Sequence, residues 1–492
     1  MNNNKMMMMM PLTKGLLILA VSLALTFATI SASHGVFSVK YRYAGREPSL
    51  TLLKQHDSRR QLRILAGVDL PLGGTSRPDG VGLYYAKIGI GTPSKDYYVQ
   101  VDTGSDIMWV NCIECKECPR RSSLGIELTL YDIKESSTGK LVSCDEEFCY
   151  EMYSGSLTGC MANVSCPYLE LYGDGSSTAG YFVSDVVQYD RVSGDLQTTA
   201  TNGSIIFGCG ARQSGDLDSS NEEALDGILG FGKSNSSLIS QLSSSGRVRK
   251  MFAHCLDGIN GGGIFAIGHV VQPVVNMTPL IPNQPHYSIN MTAVQVGLHF
   301  LNLTTDVFGV GDRKGTIIDS GTTLAYLPQM IYEPLISNII SQQPDLKVHT
   351  VHDEYTCFQY SESVDEAFPN VTFHFENSVF LKVYPHEYLF PFEGLWCIGW
   401  QNSGMQSRDR KNMTLLGDLV LSNKLVLYDL ENQVIGWTEY NCSSSIKVKD
   451  ERTGTVHLIG SHYLSSDSIL NSQRGTILLL LTMLLHLLID QI

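Results

Sequence analysis

YYVQVDTGSDIMWV, residues Tyr97–Val110, runs an apolar, alternating segment into Asp102 and breaks it at once with Thr103-Gly104-Ser105. A strand that ends in a glycine turn holds one carboxylate at its end, facing outward from a rigid sheet. One Asp in a turn is an ordinary surface residue. The chain repeats the device in KGTIIDSGTTLAYL (Lys314–Leu327), where Asp319 again follows an apolar run and precedes Ser320-Gly321-Thr322. Two copies in opposite halves of the chain suit two related lobes, each supplying one carboxylate to a shared site.

The rest of the composition fits a β-rich secreted protein. Of 492 residues, 43% are hydrophobic and only 17% charged, with 45 Gly and 23 Tyr. Such a chain can bury one large core or two moderate ones. A formal net charge of −14 argues against nucleic acid, which needs a concentrated basic face, and its simplest role is solubility. The 12 cysteines are even in number. CIECKECP (Cys112–Pro119) has the look of an iron–sulfur run but lacks the fourth ligand at the expected spacing. No histidine or second close Cys pair completes a zinc set. Disulfides in an oxidising compartment are the expectation, with no metal and no cofactor.

The N-terminus reads as a secretory signal over residues 1–33: Lys5 and Lys14, an apolar stretch Leu16–Ile30, then Ser31-Ala32-Ser33. That apolar stretch is short for a membrane span of about 20 residues. Residues 34–80 are basic and polar, with a helix expected in SLTLLKQHDSRRQLRIL and a Gly/Pro linker in LPLGGTSRPDG. They form a candidate propeptide whose positive charge suits covering two carboxylates, with a plain N-terminal extension as the equal alternative. From Gly82 to Cys442 short strands predominate (LYYAKIGIGTP, YFVSDVVQYD, SIIFGCG, GGGIFAIG, VTFHF, KLVLYDL), and IYEPLISNII (Ile331–Ile340) is the best helix. Glycosylation sequons at Asn163, Asn202, Asn235, Asn276, Asn290, Asn302, Asn370, Asn412 and Asn441 suit a secretory route. Residues 443–470 read as a polar stalk. Residues 471–492 contain the apolar run Thr476–Ile489, too short to span but suited to a GPI-attachment signal, with Ser465, Ser466 and Ser468 about 8–12 residues upstream as attachment candidates. His486 inside that run and Asp490 after it keep a tail anchor or a peripheral amphipathic helix open.

Two carboxylates held together share one proton, so one can take a proton from water while the other donates to a carbonyl oxygen. Attack on a peptide carbonyl then needs neither metal nor covalent intermediate. Glycosidases also use two carboxylates, but not in duplicated Asp-Thr/Ser-Gly turns. HExxH, GxSxG and a Walker lysine loop are absent from the sequence, and Gly89-Ile90-Gly91 reads as a turn. His254 beside Cys255 reads as a packed histidine next to a disulfide rather than a thiol–imidazole pair.

With VDTGSDIMWV, YGDGSSTAGYFVSD, FGCG, ALDGILGFG, IIDSGTT and LLGDLVLSNKLVLYDLENQVIGW, the chain resembles the pepsin-like aspartic endopeptidases from Gly82 to Cys442. Within them it is similar to the plant branch of nucellin-like and nepenthesin-like proteins, and to the GPI-anchored aspartic proteinase 36/39 group. The resemblance implies an all-β, bilobal fold with a cleft between lobes 82–275 and 276–442. It implies Asp102 and Asp319 as the catalytic pair, each supported by its own turn (Thr103, Gly104, Ser105; Ser320, Gly321, Thr322). Thr103 and Ser320 would cross-link the turns, while Ser105 and Thr322 bond the outer carboxylate oxygens. Tyr172 would close a flap over substrate, held by Trp109, and exclude water. Asp174 would be structural at the flap tip, Asp226 and Asp418 lobe-core hydrogen-bonding residues, and Cys357–Cys397 a disulfide. No saposin-like insert separates the halves, unlike the vacuolar plant enzymes.

The expectation is therefore an aspartic endopeptidase acting on polypeptide at acidic pH. It would be a monomer held on the outer leaflet of the cell membrane by a GPI anchor, with no nucleic-acid partner. The rival is a catalytically silent binding or inhibitor protein of the same fold, against which Asp102, Asp319 and Tyr172 are all intact.

Overall fold

A computed structural model describes residues 66–464, apart from 79–81, 162, 305–306, 309–314, 353–354 and 406–412. The signal, the basic helix at 49–65, Asn412, Ser465, Ser466, Ser468 and the apolar tail all lie outside the described residues. Among the described residues strands dominate, and the architecture is all-β and bilobal.

Each lobe builds its aspartate on the same three-strand frame. In the first, Gly227–Gly230 runs parallel to Lys95–Asp102 and antiparallel to Trp109–Asn111. In the second, Thr414–Leu416 runs parallel to Thr316–Ile318 and antiparallel to Ala325–Leu327. Both frames are buried on both faces, which is why their sequences read as apolar runs rather than clean alternation. A fifteen-stranded sheet underlies the first lobe and continues through Met251–Leu256, Lys424–Asp429 and Val434–Glu439 into Asn276–Pro279, joining the two halves. The flap arises from the antiparallel pairing of Pro167–Leu171 with the long strand Ser177–Gly194. The expected helix is Gln329–Ser341, two residues longer at its start and one at its end than Ile331–Ile340, and it tolerates Pro334 within its second turn.

Two segments differ from their sequence reading. Residues 66–78, expected in the propeptide and linker, are body: Val68–Asp69 pairs with Gly263–Ile267 and with Ser177–Gly194, and Leu72–Thr75 pairs with Leu83–Ile90. The signal was present as Val68, Leu70 and Leu72 at period two, all fully buried, beneath the Gly/Pro content that suggested a linker. The expected stalk is also folded as far as Leu464. Ser445–Lys449 and Val456–Gly460 form a hairpin that adds to His269–Gln272, burying Ile446, Val448 and Ile459. The Leu464 amide then donates to the Leu72 carbonyl, and His462 pairs with Asp69 at 2.9 Å. Alternating Lys447 and Lys449 gave this hairpin its polar appearance.

The twelve cysteines form six disulfides: 112–209, 115–118, 144–160, 149–166, 255–442 and 357–397. Thiolates committed to disulfides are not available as metal ligands.

Candidate active site

Asp102 closes the strand Lys95–Asp102 and Asp319 follows Thr316–Ile318, so each carboxylate stands at the end of a buried strand. Within each turn the same bonds recur. The Gly104 amide donates to Asp102 Oδ1 at 2.7 Å and the Gly321 amide to Asp319 Oδ1 at 2.9 Å. The Ser105 hydroxyl donates to Asp102 Oδ2, and Thr322 Oγ1 to Asp319 Oδ2 at 2.8 Å. Hydrogen bonds to a carboxylate are among the stronger ones, so these fix the orientation of each acid.

Cross-links hold the turns to each other. The Ser320 amide donates to Thr103 Oγ1 at 2.9 Å, Thr103 Oγ1 donates to the Ile318 carbonyl at 3.4 Å, and Ser320 Oγ to the Val101 carbonyl at 3.2 Å. Glycine is required at the meeting point. A Cβ on Gly104 would lie 2.5 Å from Asp319 Oδ1, and one on Gly321 only 2.0 Å from Asp102 Oδ1. Each backbone thus packs directly on the other lobe's acid. Gln100 adds Nε2 to the Gly321 carbonyl at 3.2 Å, a contact the sequence reading missed. Its signal was one amide inside the apolar YYVQVD.

Both carboxylates are buried, at 6% and 7% exposure. Burial first, and then the charge of Asp319, push the Asp102 carboxyl up to about 7. Two acids in this arrangement retain one proton between them well above the ordinary carboxylate range.

Trp109 Nε1 donates to the Tyr172 hydroxyl at 2.7 Å, which fixes the flap tyrosine beside the pair. Burial and then the Asp102 charge keep that phenol protonated. Asp174 stays within its own turn, with Oδ1 accepting from the Ser176 amide and hydroxyl, and does not join the pair. Asp226 accepts from the Tyr98 and Thr129 amides at 2.7 and 2.6 Å. Asp418 differs from its sequence reading. It is fully buried, yet among the described residues neither carboxyl oxygen has a hydrogen-bond partner, so its side chain is not the lobe-core hydrogen-bonding group expected. His254 packs next to the 255–442 disulfide with Nε2 3.0 Å from the Tyr428 hydroxyl, and burial lowers its pKa to about 3, leaving it neutral.

Of the sequon asparagines, Asn163, Asn202, Asn235, Asn276, Asn302 and Asn441 are exposed and Asn370 half-buried. Asn290 is also half-buried and donates to Glu376 Oε2 at 3.0 Å.

Two family descriptions match the chain: Xylanase inhibitor N-terminal over residues 84–269 and Xylanase inhibitor C-terminal over residues 286–439. Aspartic proteinase 36 of Arabidopsis thaliana is 48% identical over 472 residues, covering 95% of this chain and 97% of its own length. Aspartic proteinase 39 of the same plant is 47% identical over 451 residues, covering 92% and 93%. The solved structure of edgp aligns with a TM-score of 0.62 at 18% identity, covering 77% of this chain and 95% of that one, a likeness of fold.

Proposed function

The chain belongs to the pepsin-like aspartic proteinases of plants, and from that premise we propose that Asp102 and Asp319 activate water between them to hydrolyse peptide bonds at the outer face of the cell membrane. It is an aspartic-type endopeptidase, and its substrate is polypeptide. What supports the assignment to these two residues is the reciprocal packing of their turns, each glycine backbone against the other acid.

In the singly protonated pair, the ionised carboxylate takes a proton from water as the oxygen attacks the peptide carbonyl. The protonated partner donates to the carbonyl oxygen. The resulting tetrahedral species collapses when its nitrogen is protonated and the C–N bond breaks, returning one shared proton to the pair. Ser105 and Thr322 keep each acid oriented throughout, and Tyr172 covers the reacting centre against bulk water.

The location rests on sequence. Ser465, Ser466 and Ser468 follow directly after Leu464, ahead of the apolar run Thr476–Ile489. A GPI anchor attached there fits, and exposed sequons suit the secretory route. Release of the cell-bound protein by a phosphatidylinositol-specific phospholipase C supports this, whereas retention points to a tail anchor.

The matched descriptions bear the name of xylanase inhibitors, so a binding protein of this fold is the rival. The deciding experiment is cleavage of a denatured protein at acid pH by the chain from His34 to Leu464, a boundary that keeps the C-terminal hairpin. Asp102→Asn is expected to lower the rate at least about a hundredfold, the scale of a lost general acid or base, and pepstatin to block the parent. Activity equal in both forms would remove Asp102 from the chemistry.

A further inference from the structure

The flap strand carries a group that the catalytic reading does not use. Along Pro167–Leu171 and into Tyr172, side chains alternate between faces. Leu169 and Leu171 point to solvent, at 62% and 70% exposure, whereas Tyr168 is buried and Tyr172 bonds Trp109 beside the catalytic pair. Period two therefore puts Glu170 on the inner face, between the two tyrosines and opposite Thr178 of the neighbouring strand.

Glu170 is half-buried there, and among the described residues no cation or hydrogen-bond donor satisfies it. The charge that acts on it is a second carboxylate, Asp106, which continues the Asp102 turn. Asp106 itself accepts from the Ser234 amide at 2.9 Å and feels His286, Lys233 and Lys250. Those cations do not act appreciably on Glu170. An acid withdrawn from water beside a like charge, with no countercharge from its own chain, is an incomplete arrangement.

We propose that Glu170 is a specificity-determining residue that selects a lysine or arginine side chain of the substrate lying under the flap, close to the scissile bond. This rests on the proteolytic reading of the cleft. The substrate's cation would supply the countercharge that the fold leaves out. With the cleft empty, burial and Asp106 hold the carboxyl up to about 7. It is thus neutral through the acidic range and ionises only near neutrality, so the preference for a basic side chain should grow as pH rises toward 7.

The test measures kcat/KM at pH 7.0, where Glu170 is about half ionised, for matched peptides that carry lysine, norleucine or glutamate at each position flanking the cleaved bond. The full chain is compared with Glu170→Gln and Glu170→Lys. At one position the parent should favour lysine over its uncharged isostere by about tenfold, the worth of one charge-assisted contact. That ratio should fall to near one in Glu170→Gln, and Glu170→Lys should favour glutamate over lysine there. Lysine-to-norleucine ratios that match in the parent and Glu170→Gln at every position overturn the proposal, as does a parent ratio near one throughout. No cleavage of any peptide by the parent would remove the proteolytic reading and the proposal with it.

Discussion

Behind Asp102 and behind Asp319 the same backbone frame carries different chemistry. Gly230 lies opposite Asp102, and the chain continues into Phe231, whose ring packs on Phe252 and Phe265. In the second lobe Leu416 pairs with Ile318, as Leu229 pairs with Val101 in the first, and the chain continues through Gly417 into Asp418, the position of Phe231. One aspartate is thus backed by a ring and the other by an acid. Burial, then Asp319 and Asp102, hold the Asp418 carboxyl well above the ordinary range. Ionising it would place a third charge behind the pair, which favours its neutral form. The flap shows the same divergence. Trp109 pairs with Ile228 and holds Tyr172, while Tyr326, paired with Leu415 in the second lobe, packs toward the 357–397 disulfide. Duplication preserved the positions of the two acids and let their surroundings specialise.

The largest expected effect breaks the one feature the lobes share most closely. Gly321→Ala would place a methyl 2.0 Å from Asp102 Oδ1, and Gly104→Ala would place one 2.5 Å from Asp319 Oδ1. A displacement of about 1 Å in a reacting group costs on the order of a hundredfold in rate. Both variants should lose at least that much kcat, with Gly321→Ala the worse. Near-parental turnover in Gly321→Ala would show that the turns can separate without cost.

A smaller effect tests what only the first lobe has. Trp109→Phe keeps a ring under the flap but removes the donor to Tyr172. Loss of one such bond, about 1 kcal/mol, should lower kcat/KM roughly fivefold. An unchanged value would mean that packing alone positions the tyrosine.

The smallest effect concerns Asp418. Asp102 keeps its proton below about 7 and releases it above, so activity that needs one shared proton should fall as pH rises through that region. If Asp418 is neutral there, Asp418→Asn should leave this alkaline limb within about half a unit of its parental place, since no charge has been removed. An ionised Asp418 would be holding the Asp102 proton on, and its removal would then move the limb to lower pH. A clear downward shift in the pH–rate profile would therefore refute the neutral state.

Much of this site is local enough to read from the chain. Asp102 and Asp319 announce themselves through apolar runs that stop at Gly104 and Gly321, and Tyr172 through the turn that follows it. Strand period and turn chemistry act over a few residues, so a linear pattern records them. The hairpin at 445–460 was hidden because its lysines alternate with Ile446 and Val448, and only a partner sheet shows which face is buried. Glu387 and Lys424 look like two surface charges in the sequence, yet they form a fully buried ion pair at 2.7 Å.

Sequence by itself determined the duplicated acid turns, the β-rich character and the disulfide chemistry of the cysteines. Tertiary structure alone decided how the cysteines other than Cys357 and Cys397 pair, that residues 66–78 and 443–464 join the folded body, and how closely each glycine meets the opposite acid. It alone left Asp418 and Glu170 without partners among the described residues. Those outcomes depend on contacts between segments far apart in the chain, and no local pattern records which surfaces the folded sheets bring together.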